Sequence, residues 1–273
     1  MNTSMPPARR LHAVLAAMPR LACAVSGGVD SLTLATFAHR HLPGHVEMFH
    51  AVSAAVPEEA TRRTRDLAVA EGWTLTVIDA GEFASAQYRA NPANRCYFCK
   101  TSLYGAIRPA TNAQMVSGTN TDDLGDYRPG LIAAREHEVR HPFVEADIDK
   151  QGVRAIAREL GLGAIAELPS APCLSSRIET GIGIDPVMLS CVHAAENLVR
   201  DRLSPATVRC RVRATGIVVE LDQASLAASS PLQDSIARDV QDLFKSRGFT
   251  LPVSFSAYRV GSAFLHPIEL IRS

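Results

Sequence analysis

Three short stretches carry residues whose types and spacing can do chemistry. The first is Ser26-Gly27-Gly28-Val29-Asp30-Ser31, the second is Cys96 and Cys99 within "NRCYFCK", and the third is Cys173 ahead of Ser175, Ser176 and Arg177. Two adjacent glycines allow a tight turn and close backbone approach. Flanking hydroxyls and the free N–H groups of a following helix then make a cradle for an anion. No G-x-x-x-x-G-K-[ST] run occurs, so this is not the loop of γ-phosphoryl-transferring NTPases. The bland alternative is a turn with Asp30 near a helix cap.

Cysteines separated by two intervening residues can hold a metal, form a disulfide or sit in a helix without chemistry. The six cysteines are unevenly spaced, which favours metal or catalytic roles over a disulfide framework. Cys23, Cys191 and Cys210 read as structural. A zinc site needs a fourth ligand; no His or Cys follows at finger-like spacing, although His137 and His141 stay open. A redox dithiol lacks its expected preceding strand. Arg177 near Cys173 suits a thiolate, because a neighbouring cation favours the charged form.

Elements of alternating type must position these groups. Residues 21–25, 45–52, 74–80 and 113–118 read as strands, with helical spacing over 30–41, 57–71 and 97–107. The alternation predicts an α/β fold with a parallel sheet wrapped by helices. Beyond Gly163 a Pro/Gly/Ser-rich connection leads to a helix over 186–203, strands over 207–214 and 217–222, a helix over 230–247 and a strand over 252–258. The expected domains are 1–165, a cysteine loop and connection over 166–185, and a smaller α+β domain over 186–273. Arg209, Arg211 and Arg213 alternate along one strand and therefore share a face.

Lys+Arg and Asp+Glu are equal at 28 each, so the bulk charge of a nucleic-acid binder is absent. No stretch reaches membrane-spanning length without charge. Arg9 and Arg10 precede an apolar run that Pro19 and Arg20 interrupt, and the glycine loop follows at once. The reading is of a cytoplasmic protein without an export signal.

S-G-G-x-D-S resembles the pyrophosphate loop of PP-loop ATP pyrophosphatases. The resemblance implies ATP at Ser26, Gly27, Gly28, Asp30 and Ser31, with Asp30 toward magnesium and pyrophosphate. By the same analogy Ser53 lies near the adenine, and Gly118 and Thr119 near the ribose or α phosphate. Taken with "NRCYFCK", "GTNTDDLGDYRPGL", "APCLSSRI", "RCRVR" and "YRVGS", the loop resembles the LarE family over about residues 21–262. That family inserts sulfur during synthesis of the nickel-pincer nucleotide cofactor.

The resemblance implies adenylation of a carboxylate on a pyridinium dicarboxylate mononucleotide, followed by thiocarboxylate formation. Cys173 matches the sulfur-handling cysteine, and Ser176, Arg177, Arg211, Arg213 and Arg259 the binders of this nucleotide-like substrate. Some relatives sacrifice the sulfur of that cysteine. Others add a C-x-x-C pair, and here Cys96, Cys99 and Cys173 would hold a 4Fe-4S cluster that receives sulfide or another sulfur donor. The family also implies a homo-oligomer. Asp122, Asp123 and Asp126 either bind magnesium or cap the chain. The family pattern Y-R-x-G-S usually has a polar residue such as Asn nearby, whereas this chain reads "YRVGSAFLHP"; Arg259 matches, and the residues that follow the motif depart. Competing readings are a transfer-RNA thiolase, whose zinc ribbons and RNA-binding domain are missing, an ammonia-dependent amide synthetase, and a nucleotide-sensing module with a structural metal.

Overall fold

A computed structural model describes residues 5–125, 128–259 and 262. The chain divides into two compact units. One comprises residues 1–82 and 96–171, the other residues 83–95 and 172–273.

The first unit contains α1 (Pro7–Ala16), β1 (Leu21–Ala24), α2 (Val29–His41), β2 (Val46–Val52), α3 (Glu58–Glu71) and β3 (Leu75–Asp79). After α4 (Ala86–Arg89), which lies in the second unit, α5 (Arg95–Ile107) leads back into the first. β4 (Gln114–Ser117), α6 (Pro129–Glu136), α7 (Pro142–Glu145) and α8 (Lys150–Glu159) complete it. The four strands form a parallel sheet in the order β3-β2-β1-β4. Chain order therefore reverses between β1 and β4, and ligands of such sheets bind at that point, beyond the carboxyl ends of the strands.

α2 is buried from Ser31 to Ala38, and the polar residues of that stretch are reconciled with the position locally. Thr33 and Thr36 donate their hydroxyls to the Val29 and Leu32 carbonyls at 2.6 and 2.8 Å. The core joins Leu32, Ala35, Phe37 and Ala38 of α2 to Leu21 and Cys23 of β1, Met48 of β2, and Val153, Ile156 and Ala157 of α8. The interrupted N-terminal run folds as α1 and buries Leu11, Val14 and Leu15. Arg10 is buried beside them and donates to the Ala146 and Asp147 carbonyls at 2.7 and 2.8 Å.

The second unit adds α9 (Pro186–Leu203), β5 (Val208–Arg213), β6 (Gly216–Leu221), α10 (Gln223–Ser229), α11 (Gln233–Lys245) and β7 (Val253–Ala257). β5 and β6 pair antiparallel, and β6 and β7 parallel. One face of this sheet is apolar, with Val208, Cys210, Val212, Ile217, Val219 and Leu221 buried, as are Ile236, Val240 and Phe244 of α11. α4 is tied into this unit by Tyr88, whose hydroxyl lies 2.7 Å from Ser175 Oγ. Asn91 donates its amide to the Glu179 and Ile182 carbonyls at 2.8 and 2.9 Å.

The expected strands match the observed ones to within a residue or so at each end. The helix expected over 230–247 corresponds to α11, which starts at Gln233; a 3-10 turn containing Pro231 separates it from the additional helix α10. Proline lacks the N–H that a continuous helix would require. No helix among the described residues is long and apolar enough to cross a membrane.

Candidate active site

The glycine loop joins β1 to α2. Ser26 donates its N–H to Ser31 Oγ at 3.0 Å, the two hydroxyl oxygens lie 3.1 Å apart, and Ser31 Oγ donates to the Gly28 carbonyl at 3.1 Å. These bonds curl the loop back on the first turn of α2. Gly27 has φ +81°, and a Cβ placed there would lie 2.5 Å from the Ala60 carbonyl oxygen. Only glycine allows α3 this close. From the same helix, Arg63 donates to the Gly27 carbonyl at 2.6 Å.

His50 on β2 braces the loop from below. Its Nδ1 is 2.8 Å from the Val25 carbonyl oxygen and its Nε2 is 2.9 Å from Thr61 Oγ1. A carbonyl only accepts, so Nδ1 carries the proton, and Nε2 of the neutral ring accepts from Thr61. Burial lowers the pKa of His50 and outweighs the Val25 hydrogen bond, which acts in the opposite direction.

The loop after β4 meets the same place. A Cβ on Gly118 would lie 2.7 Å from the Ser31 backbone nitrogen, so the two loops approach backbone to backbone. Thr119 Oγ1 lies 3.2 Å from Ser117 Oγ, which is 2.9 Å from His141 Nδ1. Asn120 donates its amide to Asp30 Oδ1 at 3.1 Å, and Lys150, at the start of α8, reaches Asp30 Oδ2 at 2.5 Å. The Asp30 and Lys150 side chains are 26% and 29% exposed, which puts the pair at the mouth of the loop. Ser53, after β2, is half-buried and accepts the Ala55 N–H at 3.2 Å.

Asp123 accepts the Asn120 N–H in a capping box and pairs with Arg128 at 2.9 Å, while Asp122 accepts the Lys150 N–H at 3.3 Å. Both therefore cap and turn the chain here. Asp126 lies outside the described residues.

Cys96 and Cys99 are half-buried in the first two turns of α5. Three residues apart, they share a helix face. Gly130 of α6 packs against this start, with a Cβ there 3.6 Å from the Cys96 carbonyl oxygen. None of the six cysteines is in a disulfide. Among the described residues no group of three or more His, Cys, Asp or Glu is placed to hold a metal.

In the second unit, half-buried Cys173 opens the 3-10 turn Leu174–Arg177, and its carbonyl accepts the Ser176 N–H at 3.0 Å. Arg177 is buried and fastens this turn. It donates to the Pro172 and Cys173 carbonyls at 2.7 and 3.2 Å, to Ser176 Oγ at 3.1 Å, and through Nε and Nη2 to Glu196 at 2.9 and 3.2 Å. Glu196 also accepts the Cys210 N–H at 3.1 Å and pairs with Arg200 at 2.9 Å. Burial alone would raise its carboxyl pKa, but Arg177 by charge and hydrogen bond, aided by Cys210 and Arg200, lowers it instead.

Arg209, Arg211 and Arg213 do share one face of β5. Opposite Arg209 is the buried Glu220 of β6. Arg211 donates to Glu220 at 3.0 Å and to the Ser176 carbonyl at 2.8 Å, and Arg213 donates to Glu220 at 2.8 Å. Ser262 adds a hydroxyl to the same carboxylate at 2.7 Å. Arg213 Nε is buried without a hydrogen-bond partner. Ser176 is buried within the turn itself, and Arg259 is exposed beyond β7.

The arginines around the Cys173 turn outnumber the carboxylates paired with them, which favours an anionic ligand. Sequence reasoning passed over Glu196, Glu220, Asn120, Lys150, His50 and Arg63. Glu196 alone had a local signal, an acid set within the buried stripe of Val192, Ala195 and Val199.

No family model matches the chain. It is 35% identical over 236 residues to the uncharacterized protein slr1717 of Synechocystis sp., covering 85% of this chain and 87% of the relative. It is 29% identical over 238 residues, 85% of this chain and 86% of the relative, to the pyridinium-3,5-bisthiocarboxylic acid mononucleotide synthase of Lactiplantibacillus plantarum. The uncharacterized protein MJ0830 of Methanocaldococcus jannaschii matches over about half of each chain at 30% identity. With a glycine loop at the β1–β4 reversal, a cysteine turn fastened by arginine, and this likeness over most of its length, the chain belongs to the LarE family.

Proposed function

We propose that this chain is an ATP-dependent sulfurtransferase acting on a carboxylate of pyridinium dicarboxylate mononucleotide. The observation that carries the reading is the loop Ser26–Ser31, closed on itself with Asp30 at its mouth, in a relative of a protein named for making the bisthiocarboxylic acid mononucleotide.

The loop N–H groups and the start of α2 favour the negative charge of ATP phosphates. The substrate carboxylate oxygen attacks the α phosphorus, the bond from that phosphorus to the bridging oxygen breaks, and pyrophosphate leaves. A carboxylate is a poor electrophile, and the adenylate converts its oxygen into a leaving group. A sulfur nucleophile then bonds to the acyl carbon as AMP departs with that oxygen; in the route without a cluster that nucleophile is the Cys173 thiolate. Ser53, Gly118 and Thr119 line the nucleotide. Ser176, Arg177, Arg211, Arg213 and Arg259 serve the substrate's anionic groups, Arg177 chiefly by holding the Cys173 turn in shape.

Magnesium suits Asp30, since this small hard cation uses one or two carboxylates and takes its remaining oxygens from phosphates and water. It would neutralise the departing pyrophosphate. The donor set Cys96, Cys99 and Cys173 suits a 4Fe-4S cluster in chemistry, because thiolates are its usual ligands. When bound, its open iron would supply a place for sulfide and allow repeated turnover. Without it, Cys173 gives up its own sulfur: the Cβ–Sγ bond breaks, the Cα proton is lost, and dehydroalanine remains.

Anaerobically purified protein, given ATP, substrate and sulfide, separates these routes. The cluster reading expects iron in the protein and more than one thiocarboxylate per chain. One product per chain, with the intact mass lowered by the elements of hydrogen sulfide at Cys173, overturns the cluster and keeps the transferase. No thiocarboxylate from the wild-type protein overturns both.

A further inference from the structure

Asp30 has neither carboxylate oxygen idle: Asn120 occupies Oδ1 and Lys150 occupies Oδ2. The backbone of Lys150 is fixed at the start of α8. Asp149 accepts the Gly152 N–H at 2.7 Å as the helix cap, and the Lys150 N–H is held by Asp122. The side chain is the movable part. Lysine is a compact charge on a flexible stem with three rotatable donors, whereas arginine holds carboxylates in a rigid fork. Three of the 28 basic residues are lysines, so a lysine at the loop mouth is a distinct chemical choice.

A divalent cation approaching Asp30 without nucleotide meets an ion pair already made and must displace an ammonium from it. ATP changes that balance, because its phosphates offer Lys150 a second anion beside the loop while the metal comes in bound to the same phosphates. We propose that Lys150 is a nucleotide-phosphate ligand that holds Asp30 in the empty site and yields it to the metal only when ATP enters. The inference rests on the ATP reading above. Metal and nucleotide therefore bind as one unit, and Asp30 is kept from collecting free cations.

Manganese, followed by its electron paramagnetic resonance signal, reports the metal without turnover. The full-length protein without nucleotide binds Mn2+ weakly; Lys150→Met binds it at least about tenfold more tightly, and adding Asp30→Asn abolishes the gain. With Mg2+ present, Lys150→Met binds α,β-methylene-ATP at least about tenfold more weakly, and Lys150→Arg recovers part of the loss. Mn2+ affinity unchanged by Lys150→Met, or nucleotide affinity unchanged, overturns the proposal. The two failures are separable. A wild-type protein that binds no α,β-methylene-ATP sinks the ATP reading, while the nucleotide-free Mn2+ comparison still reads the Lys150–Asp30 exchange.

Discussion

Arg177 and Glu196 form a two-pronged ion pair buried beneath the turn that carries Cys173. The same guanidinium holds the Cys173 carbonyl, so the conformation of the cysteine turn depends on a carboxylate of α9. Glu196→Ala leaves a buried arginine uncompensated and is expected to cost about 3–5 kcal/mol. Arg200→Ala, at the exposed end of the network, is expected to cost under about 1 kcal/mol. Urea unfolding of both variants checks the contrast. Arg177→Lys is expected to resemble Glu196→Ala, because an ammonium does not reproduce the fork.

Gly27 and Gly118 are predicted to be intolerant of alanine in different ways. At Gly27 a Cβ meets the Ala60 carbonyl and the backbone is left-handed, so strain of about 1–3 kcal/mol is expected. At Gly118 the Cβ meets the first turn of α2 and pushes the two loops apart. Both variants should keep the circular dichroism of the fold and bind nucleotide at least about tenfold more weakly by calorimetry. Wild-type affinity in Gly118→Ala would mean that the loop after β4 takes no part.

Thiol reactivity should divide the cysteines. Burial pushes the Cys23 thiol up to about 12 and raises Cys210 and Cys191 as well. Iodoacetamide at pH 8, read by peptide mass spectrometry, should modify half-buried Cys96, Cys99 and Cys173 in the folded, iron-free protein. Cys23 and Cys210 should react only after denaturation. Their prompt labelling would show that the cores of both units are open to solvent.

Stability should fall in mild acid. His50 and His141 both have lowered pKa values, chiefly through burial. Each binds a proton more readily in the unfolded chain, so unfolding free energy rises with pH. The contribution is fully present above the unfolded value of about 6.5 and is lost as pH falls below it toward the folded value. The Tm should therefore drop between pH 7.5 and 5.5, and His50→Gln should flatten the drop. Carboxylates held low, such as Glu196 and Glu71, act further down, as pH falls below the ordinary carboxylate range.

Most elements were legible because their signals are local. Alternating runs at β1–β4 and the helical spacing of α2 and α3 encode periodicity directly. The shared face of Arg209, Arg211 and Arg213 followed from strand geometry alone. What those arginines face did not, because Glu220 meets them only through the β5–β6 register. Lys150 stands 120 residues from Asp30, and nothing in either neighbourhood points to the other. Nor does any local feature mark Phe83–Arg95 as part of the second unit, since its ties run through Asn91 and Tyr88 to residues beyond 174. Long-range pairings of this kind depend on the fold, and local sequence patterns do not record them.

The most direct test of the account is the fate of ATP. Protein, ATP and the dicarboxylate mononucleotide are mixed, and nucleotide, phosphate and sulfur products are identified by mass spectrometry. The account predicts AMP and pyrophosphate that depend on the substrate, thiocarboxylate from the wild type, and from Cys173→Ala pyrophosphate without thiocarboxylate. ADP and phosphate in place of AMP and pyrophosphate, or thiocarboxylate made by Cys173→Ala, would contradict it.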